Sequence, residues 1–401
     1  MSVERGLAFH PLSFVPDGDD VVVGRADTGS YAVLPADGAE LLRRLSSGMS
    51  PDAAAEWYRS EFDEDVDIDD FLAEIAELGF VRTDGEVAGG QPRPRFQWLG
   101  QALFSLVAWI GYAGIVIWWA VVAAPHGDIL PNPAQVYFTG SLIAVQLVVV
   151  TSQIPLGFLH ESFHVLAGQR LGLSSTLAVS NRFTYVVFET RINGLMSVPR
   201  RQRYLVVCAG MLADIVVLCL LDLAAELTRS PGGALSFAGR LCLTLAFTTV
   251  ARIGWQFMFY LRTDLYFVLA TALRCHDLHD AGVAIFRNRL RRLAGRTDRL
   301  VDETQWTERD RRIGAWYGWF ICAGILVAIG LTVFLSVPVL IRFVQQVVAG
   351  LGSADGATFW DAAISLVLLA VQLGLPAVLA RRKRRLDTSR KPRLAVDPGG
   401  N

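Results

Sequence analysis

The sequence predicts a polytopic α-helical membrane protein with an N-terminal α+β domain. Of its 401 residues, 52% are hydrophobic and only 19% are charged, and the mean hydropathy is +0.38. The hydrophobic residues concentrate in about six long runs, each near the ~20 residues that a helix needs to cross a bilayer. The first 86 residues differ, since they contain twenty Asp and Glu against six Lys and Arg. The net charge of −1 gives no global field for nucleic-acid binding.

Residues 1–86 are expected to form a separate domain of three strands followed by three helices. The predicted strands are His10–Val15, Val21–Arg25 and Ser30–Leu34, separated by Gly and Asp turns. The predicted helices are Ala36–Leu45, Pro51–Phe62 and Ile68–Leu78, and Phe80–Arg82 closes the domain as a short strand. Ser50 and Pro51 suit the N-cap and N1 positions of the second helix, and Gly79 suits the C′ position of the third.

Two stretches of this domain carry a resemblance to a known module. Leu-Pro-Ala-Asp-Gly-Ala-Glu-Leu-Leu-Arg-Arg-Leu at residues 34–45 and Ile-Ala-Glu-Leu-Gly-Phe-Val at residues 75–81 resemble the PqqD-like domain, a winged-helix module. Such domains bind leader peptides of ribosomally made, modified peptides, so the resemblance implies a peptide partner. Binding would occur by strand addition to a sheet edge. A generic winged-helix adaptor or DNA reader is the alternative, and the acidic balance argues against DNA.

After a linker at residues 87–97, six membrane spans are predicted. They are Gln101–Ala124, Tyr137–Leu159, Tyr204–Leu227, Leu235–Leu261, Gly314–Arg342 and Phe359–Ala380. The segments 170–203, 262–313 and 381–401 are rich in Arg, whereas the alternate loops 125–136 and 343–358 contain no Lys or Arg. By the positive-inside rule, both termini then lie in the cytoplasm of a multi-pass cell-membrane protein.

The predicted membrane core comprises residues 98–275. The following segments indicate less about the function. Residues 171–199 are expected to form either a β-hairpin over a functional site, with an edge for an extended substrate, or a plain cytoplasmic loop. Residues 276–313 suit a cytoplasmic amphipathic segment on the anionic leaflet. A pair of transmembrane helices at 314–380 and a basic cytoplasmic tail at 381–401 follow. The five Cys show no Cys-x-x-Cys spacing, so we expect free thiols.

The second span ends in the motif His160-Glu161-Ser-Phe-His164. Residues four apart share a face of a helix, so both imidazoles can bind one metal ion while Glu161 lies beside them. Neutral imidazole is a common zinc ligand, and a nearby carboxylate can take the proton of a water that the metal activates. Ionisable residues at membrane depth are costly and usually functional, which favours this interpretation over a chance match.

Two His residues leave a catalytic zinc short of one protein ligand. Asp264 lies just past the cytoplasmic end of the fourth span, at the expected level of the His pair, and is the preferred candidate. Asp214, His276 and His279 are alternatives, but Asp214 lies about ten residues, or ~15 Å, inside the third span. Arg252 lies at nearly the same depth in the fourth span, so we predict a structural Asp214–Arg252 ion pair between the two spans.

At these residues the chain resembles the site-2 protease family of intramembrane zinc metallopeptidases, and within it the peptide zinc metalloproteases of peptide-maturation systems. The resemblance rests on the His-Glu-x-x-His motif and on the stretches 200–214 and 261–269. It implies Zn²⁺ as the cofactor, His160, His164 and Asp264 as its ligands, and Glu161 as the catalytic residue.

The sequence departs from the family's pattern at three points. Met211 stands where the family usually has Pro, Met258 and Phe259 stand where Asn-Pro usually precedes the Asp ligand, and Leu265 stands where Gly usually follows it. The family's Asn is associated with holding the substrate or the oxyanion. Gln256, Asn193 and Arg252 are the candidates for that role in this sequence.

Together, these observations predict a membrane zinc metallopeptidase that binds a ribosomally made precursor peptide through its N-terminal domain and cleaves it near the cytoplasmic membrane face. Two alternatives stay open at this point. A non-catalytic membrane peptide-binding, immunity or export partner would keep the fold, and a regulatory protease would act on a membrane signalling protein. Bound zinc would separate the first alternative from the enzyme, and an adjacent gene for a small precursor peptide would separate the second.

Overall fold

The computed structural model describes residues 7–25, 27–83, 86, 94–182, 185–275 and 277–390. An N-terminal α+β domain precedes a bundle of helices. Six helical segments in the described part of the chain are long and apolar enough to cross a membrane. They are Leu106–Ala123, Leu142–Arg170, Arg200–Leu227, Phe237–Trp255, Glu308–Leu351 and Gly356–Gly374. The predicted class, a helical membrane protein with an N-terminal α+β domain, is confirmed at this level.

The N-terminal domain has a three-stranded antiparallel sheet of order β1-β2-β3, followed by three helices. The strands are β1 (Ser13–Asp17), β2 (Asp20–Arg25) and β3 (Ser30–Pro35), and the helices are α1 (Ala36–Ser46), α2 (Pro51–Phe62) and α3 (Ile68–Glu77). The first strand begins later than predicted, because residues 8–10 run antiparallel to residues 80–82 instead. Phe80–Arg82, the predicted closing strand, therefore pairs with the start of the described chain.

A compact apolar core holds this domain together. Val23 of β2, Leu42 of α1 and Ile75 of α3 are buried against each other and against Phe80. Burying each such side chain contributes about 1.5–3 kcal/mol relative to leaving it exposed. The predicted cap is present, since Ser50 accepts a hydrogen bond from the backbone N–H of the third helical residue of α2.

The helical bundle contains eleven α-helices and one β-hairpin in the described part of the chain. The helices are α4 (Gln97–Leu103), α5 (Leu106–Ala123), α6 (Leu142–Thr151), α7 (Gln153–Arg170), α8 (Arg200–Leu227), α9 (Phe237–Trp255), α10 (Asp264–Leu273), α11 (Leu278–Leu293), α12 (Glu308–Leu331), α13 (Val337–Leu351) and α14 (Gly356–Arg390). The hairpin consists of β4 (Ser175–Arg182) and β5 (Tyr185–Ile192), so the hairpin alternative for residues 171–199 is correct. All five Cys are free, as predicted.

The predicted boundaries of the linker, the first span and the last loop differ from the structure. The linker at 87–97 ends one residue early, because residue 97 already begins α4. The first span begins at Leu106 and not at Gln101 as predicted. Ser105 caps a separate helix, α5, by accepting a hydrogen bond from the backbone N–H of Ala108 at 3.2 Å. The predicted loop 343–358 shrinks to four residues, since a π-helical turn at Thr332–Ser336 joins α12 to α13 without a break. Residues 391–401 of the predicted tail lie outside the described residues.

The fourth span ends at Trp255 and not at Leu261 as predicted. Residues 256–263 connect α9 to α10 through a short 3-10 helix at Phe259–Leu261, after which Arg262 adopts a left-handed backbone conformation with φ of 53°. The Thr263 hydroxyl donates to the Gln256 carbonyl at 2.6 Å, and the backbone N–H of Asp264 donates to Gln256 Oε1 at 3.0 Å. The apolar run Phe257–Leu261 is therefore a turn that redirects the chain, and it sets α10 against α8.

Asp361, a residue of α14, caps the N-terminus of α6. Asp361 accepts hydrogen bonds from the Ser141 hydroxyl at 2.6 Å and from the backbone N–H of Leu142 at 2.7 Å, at the start of α6. A negative charge at a helix N-terminus satisfies donors that have no partner within the helix.

We expect Asp361→Ala to lower the free energy of unfolding by about 1.5–3 kcal/mol, the contribution typical of hydrogen bonds to a charged group. Unfolding by sodium dodecyl sulfate in mixed micelles measures this difference. Asp298→Ala removes an exposed carboxylate and serves as the control. Equal unfolding midpoints for the Asp361 variant and the wild type would contradict this structural role.

Candidate metal centre

Three side chains converge where α7, α8 and α10 meet. His160 and His164 lie one turn apart on α7, and Asp264 is the first residue of α10. Asp264 Oδ2 lies 3.1 Å from His160 Nε2 and 3.3 Å from His164 Nε2, and the two Nε2 atoms are 3.3 Å apart. The three atoms are close enough to hold one metal ion. These are the three side chains predicted as ligands.

The second nitrogen of each imidazole is held by a hydrogen-bond acceptor. His160 Nδ1 lies 3.0 Å from Asp214 Oδ2, and His164 Nδ1 lies 2.7 Å from the carbonyl oxygen of Val206. Because both partners only accept hydrogen bonds, each Nδ1 carries the proton and each Nε2 presents its lone pair to the centre. Both rings are buried, which fixes their orientation.

Helix α8 approaches the centre at a glycine. A Cβ built on Gly210 would lie 2.5 Å from His160 Nε2 and still closer to His164 Nε2. Real Cβ atoms do not make such contacts, so only glycine allows α8 to pass the ligand atoms at this distance. Gly210 was missed among the site residues, since the sequence places it in an apolar span and gives no sign of what it faces.

The predicted ion pair between the third and fourth spans is present. Arg252 Nη2 donates to Asp214 Oδ1 at 2.6 Å, and Arg252 Nε lies 3.1 Å from both carboxylate oxygens. Asp214 is 1% exposed and also holds His160, so it connects Arg252 to a candidate ligand. Arg252 Nη1 is buried and has no hydrogen-bond partner in the described part of the chain.

We expect Asp214→Asn to weaken metal binding about 10–100-fold, the usual cost of losing a residue that orients a metal ligand. Asparagine keeps the shape of the side chain but removes the negative charge that orients His160. Competition with a chromophoric chelator measures the affinity.

Asp222→Asn is the matched control, because Asp222 is another buried carboxylate of α8. It accepts from Trp119 Nε1 at 2.8 Å and makes no contact with the His pair. A similar loss of affinity in both variants would show that Asp214 has no specific role at the centre.

The carboxylate of Glu161 lies beside the His pair and is held by the hairpin. Thr190 of β5 donates to Glu161 Oε2 twice, from its backbone N–H at 3.0 Å and from its hydroxyl at 2.7 Å. Glu161 Oε1 receives no hydrogen bond from the described residues. The role of Thr190 was not predicted, because strand pairing and register decide which hairpin residue meets α7.

The other predicted site residues are not members of the cluster of His160, His164 and Asp264. His279 Nδ1 lies 3.2 Å from the Tyr317 hydroxyl and takes no part in the centre, while His276 lies outside the described residues. Of the candidates for the family's Asn, Gln256 contacts the centre most directly, since its Oε1 holds the backbone of Asp264. The Arg252 guanidinium is engaged by Asp214 instead.

The described residues contain no other group of three or more His, Cys, Asp and Glu side chains arranged to hold a metal ion. No family model, no curated protein and no solved structure matches this chain. What the centre does must therefore be inferred from its own residues and their geometry.

Proposed function

We propose that this chain is a membrane-embedded zinc metallopeptidase that cleaves a ribosomally made precursor peptide held by its N-terminal domain. The observation that carries this proposal is the convergence of two imidazole nitrogens and one carboxylate oxygen, 3.1–3.3 Å apart, beside a second carboxylate. Tetrahedral zinc with bonds of ~2.0–2.1 Å separates its ligand atoms by about 3.3 Å, so the three atoms fit this ion. Three protein ligands leave a fourth position free, as in catalytic zinc sites.

The residues around the centre have distinct roles in this proposal. His160 Nε2, His164 Nε2 and Asp264 Oδ2 would hold the ion, which supplies Lewis acidity toward a peptide carbonyl and a water molecule. Glu161 Oε1 accepts the proton of the attacking water and delivers it to the leaving amine. Thr190 holds the other carboxylate oxygen, which limits the rotation of the Glu161 side chain.

The N-terminal sheet supports the capture of a peptide strand. Both β1 and β3 pair only with β2 among the described residues, so each has a free backbone edge. An extended peptide can add to such an edge through main-chain hydrogen bonds, as the PqqD-like resemblance implies. The Arg-rich segments and the positive-inside rule support a cytoplasmic position for this domain and for both termini.

Zinc content and peptide cleavage test the proposal together. We expect about one zinc per wild-type chain and loss of both zinc and cleavage in Asp264→Ala, because two imidazoles alone hold zinc weakly. The peptides used as test substrates are the small peptides encoded next to the gene of this protein. Mass spectrometry counts the zinc per chain.

Asp280→Ala is the control, since Asp280 is an exposed carboxylate that pairs with Arg262. Cleavage that persists in Asp264→Ala contradicts the proposal. A chain that binds zinc but cleaves none of these peptides supports the non-catalytic alternative.

A further inference from the structure

The N-terminal domain rests on one end of the helical bundle. Asp17, at the end of β1, lies 3.8 Å from Arg200 Nη1 at the start of α8. The neighbouring Gly18 sits so close to the Arg274 guanidinium that a Cβ at this position would overlap it. The contact therefore joins an acidic domain to arginines of the bundle at both α8 and the end of α10.

Beside this contact lies a large cavity, which we call the interdomain groove. Its volume is about 630 Å³, within the ~300–1,000 Å³ typical of ligand sites. Asp17, Asp20 and Val33 line it from the N-terminal domain, and Arg274, Glu308, Arg309 and Arg312 line it from the bundle. One wall is therefore mostly acidic, and the other carries three arginines and one glutamate.

The basic wall has unused binding capacity. Arg309 Nε donates to the carbonyl of Leu273 at 3.1 Å. Arg274 and Arg312 form no ion pair with any carboxylate in the described part of the chain. A guanidinium is a fork of donors that matches a carboxylate, so two such groups in one groove suit a ligand with carboxylate side chains.

A narrower cavity of about 80 Å³ adjoins the groove between α8 and α10. It shares Asp17 and Arg274 with the groove and continues between Val207 of α8 and Phe267 of α10. Val207 lies one turn before Gly210, and Phe267 lies one turn after Asp264. Arg200 also lines this cavity, and its buried Nη1 has no hydrogen-bond partner among the described residues.

The length of α10 sets the distance along this route. Its ten residues span about 15 Å at the helical rise of 1.5 Å per residue, from Arg274 at the groove to Asp264 at the centre. An extended peptide rises ~3.3 Å per residue, so four to five residues cover this distance. A backbone that follows the narrow cavity must first widen it by separating Gly18 from Arg274.

We propose that the interdomain groove binds an acidic segment of the peptide substrate, and that the adjoining residues reach the metal centre along α10. This inference rests on the proposed function and deepens it. It defines the substrate as an extended peptide with carboxylate side chains four to five residues from the bond that is cut. It also gives the substrate a route between the two parts of the protein, separate from the surrounding lipid.

Binding of defined peptides to the full chain in nanodiscs of zwitterionic lipid tests the groove. The probe is a fluorescein-labelled decapeptide of alternating Glu and Val, and its neutral counterpart has Gln in place of Glu. By fluorescence anisotropy, the Arg274→Gln/Arg312→Gln double variant should bind the acidic peptide about tenfold more weakly, as expected for lost charge-assisted hydrogen bonds. The Arg312→Gln single variant should show several-fold weaker binding, and Arg312 is exposed and makes no hydrogen bond or ion pair with another described residue.

Arg287→Gln/Arg296→Gln is the matched control, because both arginines are exposed and lie outside the groove. Equal binding of the acidic and neutral peptides by the wild type would overturn the proposal. An equal loss of affinity in the control double variant would do the same.

Cross-linking tests the route along α10. A benzophenone residue placed five positions from the last Glu should cross-link to residues 264–271, as identified by mass spectrometry of the digested protein. Cross-links confined to other surfaces would overturn this part of the proposal. Neither measurement needs turnover, so an inactive chain that binds the acidic peptide refutes the peptidase but not the groove. An active chain that does not bind it refutes only the groove.

Discussion

Replacing Glu161 with Gln should lower peptide cleavage by about 10²–10⁴-fold, the usual contribution of a general acid–base residue, while the zinc content stays at the wild-type level. The Gln side chain can still accept hydrogen bonds from Thr190 through its carbonyl oxygen, so the local structure is kept. It cannot take a proton from water, and none of the three candidate ligands is changed. Single-turnover cleavage and zinc counting on the same sample give the two quantities.

Ser162→Ala is the matched control for this experiment. Ser162 is the next residue on α7, and its hydroxyl donates to the carbonyl of Phe158 at 2.6 Å, without contact with the His pair. Its substitution should leave both cleavage and zinc content unchanged. Undiminished cleavage by Glu161→Gln would eliminate Glu161 as the proton acceptor, whatever the zinc content.

A single methyl group on α8 should empty the metal centre. In Gly210→Ala, the new Cβ would lie 2.5 Å from His160 Nε2, whereas an unstrained contact needs about 3.5 Å. Either the two rings or α8 must shift by roughly 1 Å, and metal sites tolerate only about 0.2 Å in their bond lengths. We therefore expect zinc affinity to fall at least about 100-fold, with loss of cleavage. Isothermal titration with zinc measures the affinity.

Gly114→Ala separates this effect from a general response to alanine in a span. Gly114 lies in the middle of α5, and a Cβ at this position meets nothing within 4 Å. This control should bind zinc as the wild type does. Wild-type zinc affinity in Gly210→Ala would show that the ion does not bind between these ligand atoms.

The sequence was sufficient for those features that depend on spacing along one helix or on depth in the membrane. The spacing of His160 and His164 places both on one face of α7. The level of Asp264 relative to the span ends brings it to the same height, and the matching depth of Asp214 and Arg252 predicts their ion pair. Each of these inferences needs only the axial position of a residue, which hydropathy supplies.

Features that depend on rotation about a helix axis or on a turn could not be obtained in this way. The predicted depth of Asp214 places it out of reach of the His pair, yet it holds His160 Nδ1, because axial depth does not show which neighbour a helix face meets. The predicted fourth span extends to Leu261, because an apolar sequence does not distinguish a helix from a turn. Gly210 and Thr190 contact the centre through packing between separate segments, for which the sequence has no local signal.

The ion pair between Arg252 and Asp214 also sets the electroneutrality of the centre. Three carboxylates meet there, on Glu161, Asp214 and Asp264, and one guanidinium offsets one of them. With both imidazoles neutral, the formal charge of the residues is −2, which a divalent cation cancels. Uncompensated charge is costly in a low-dielectric environment, so the metal ion proposed for this centre would be a dication and not a monovalent or trivalent ion.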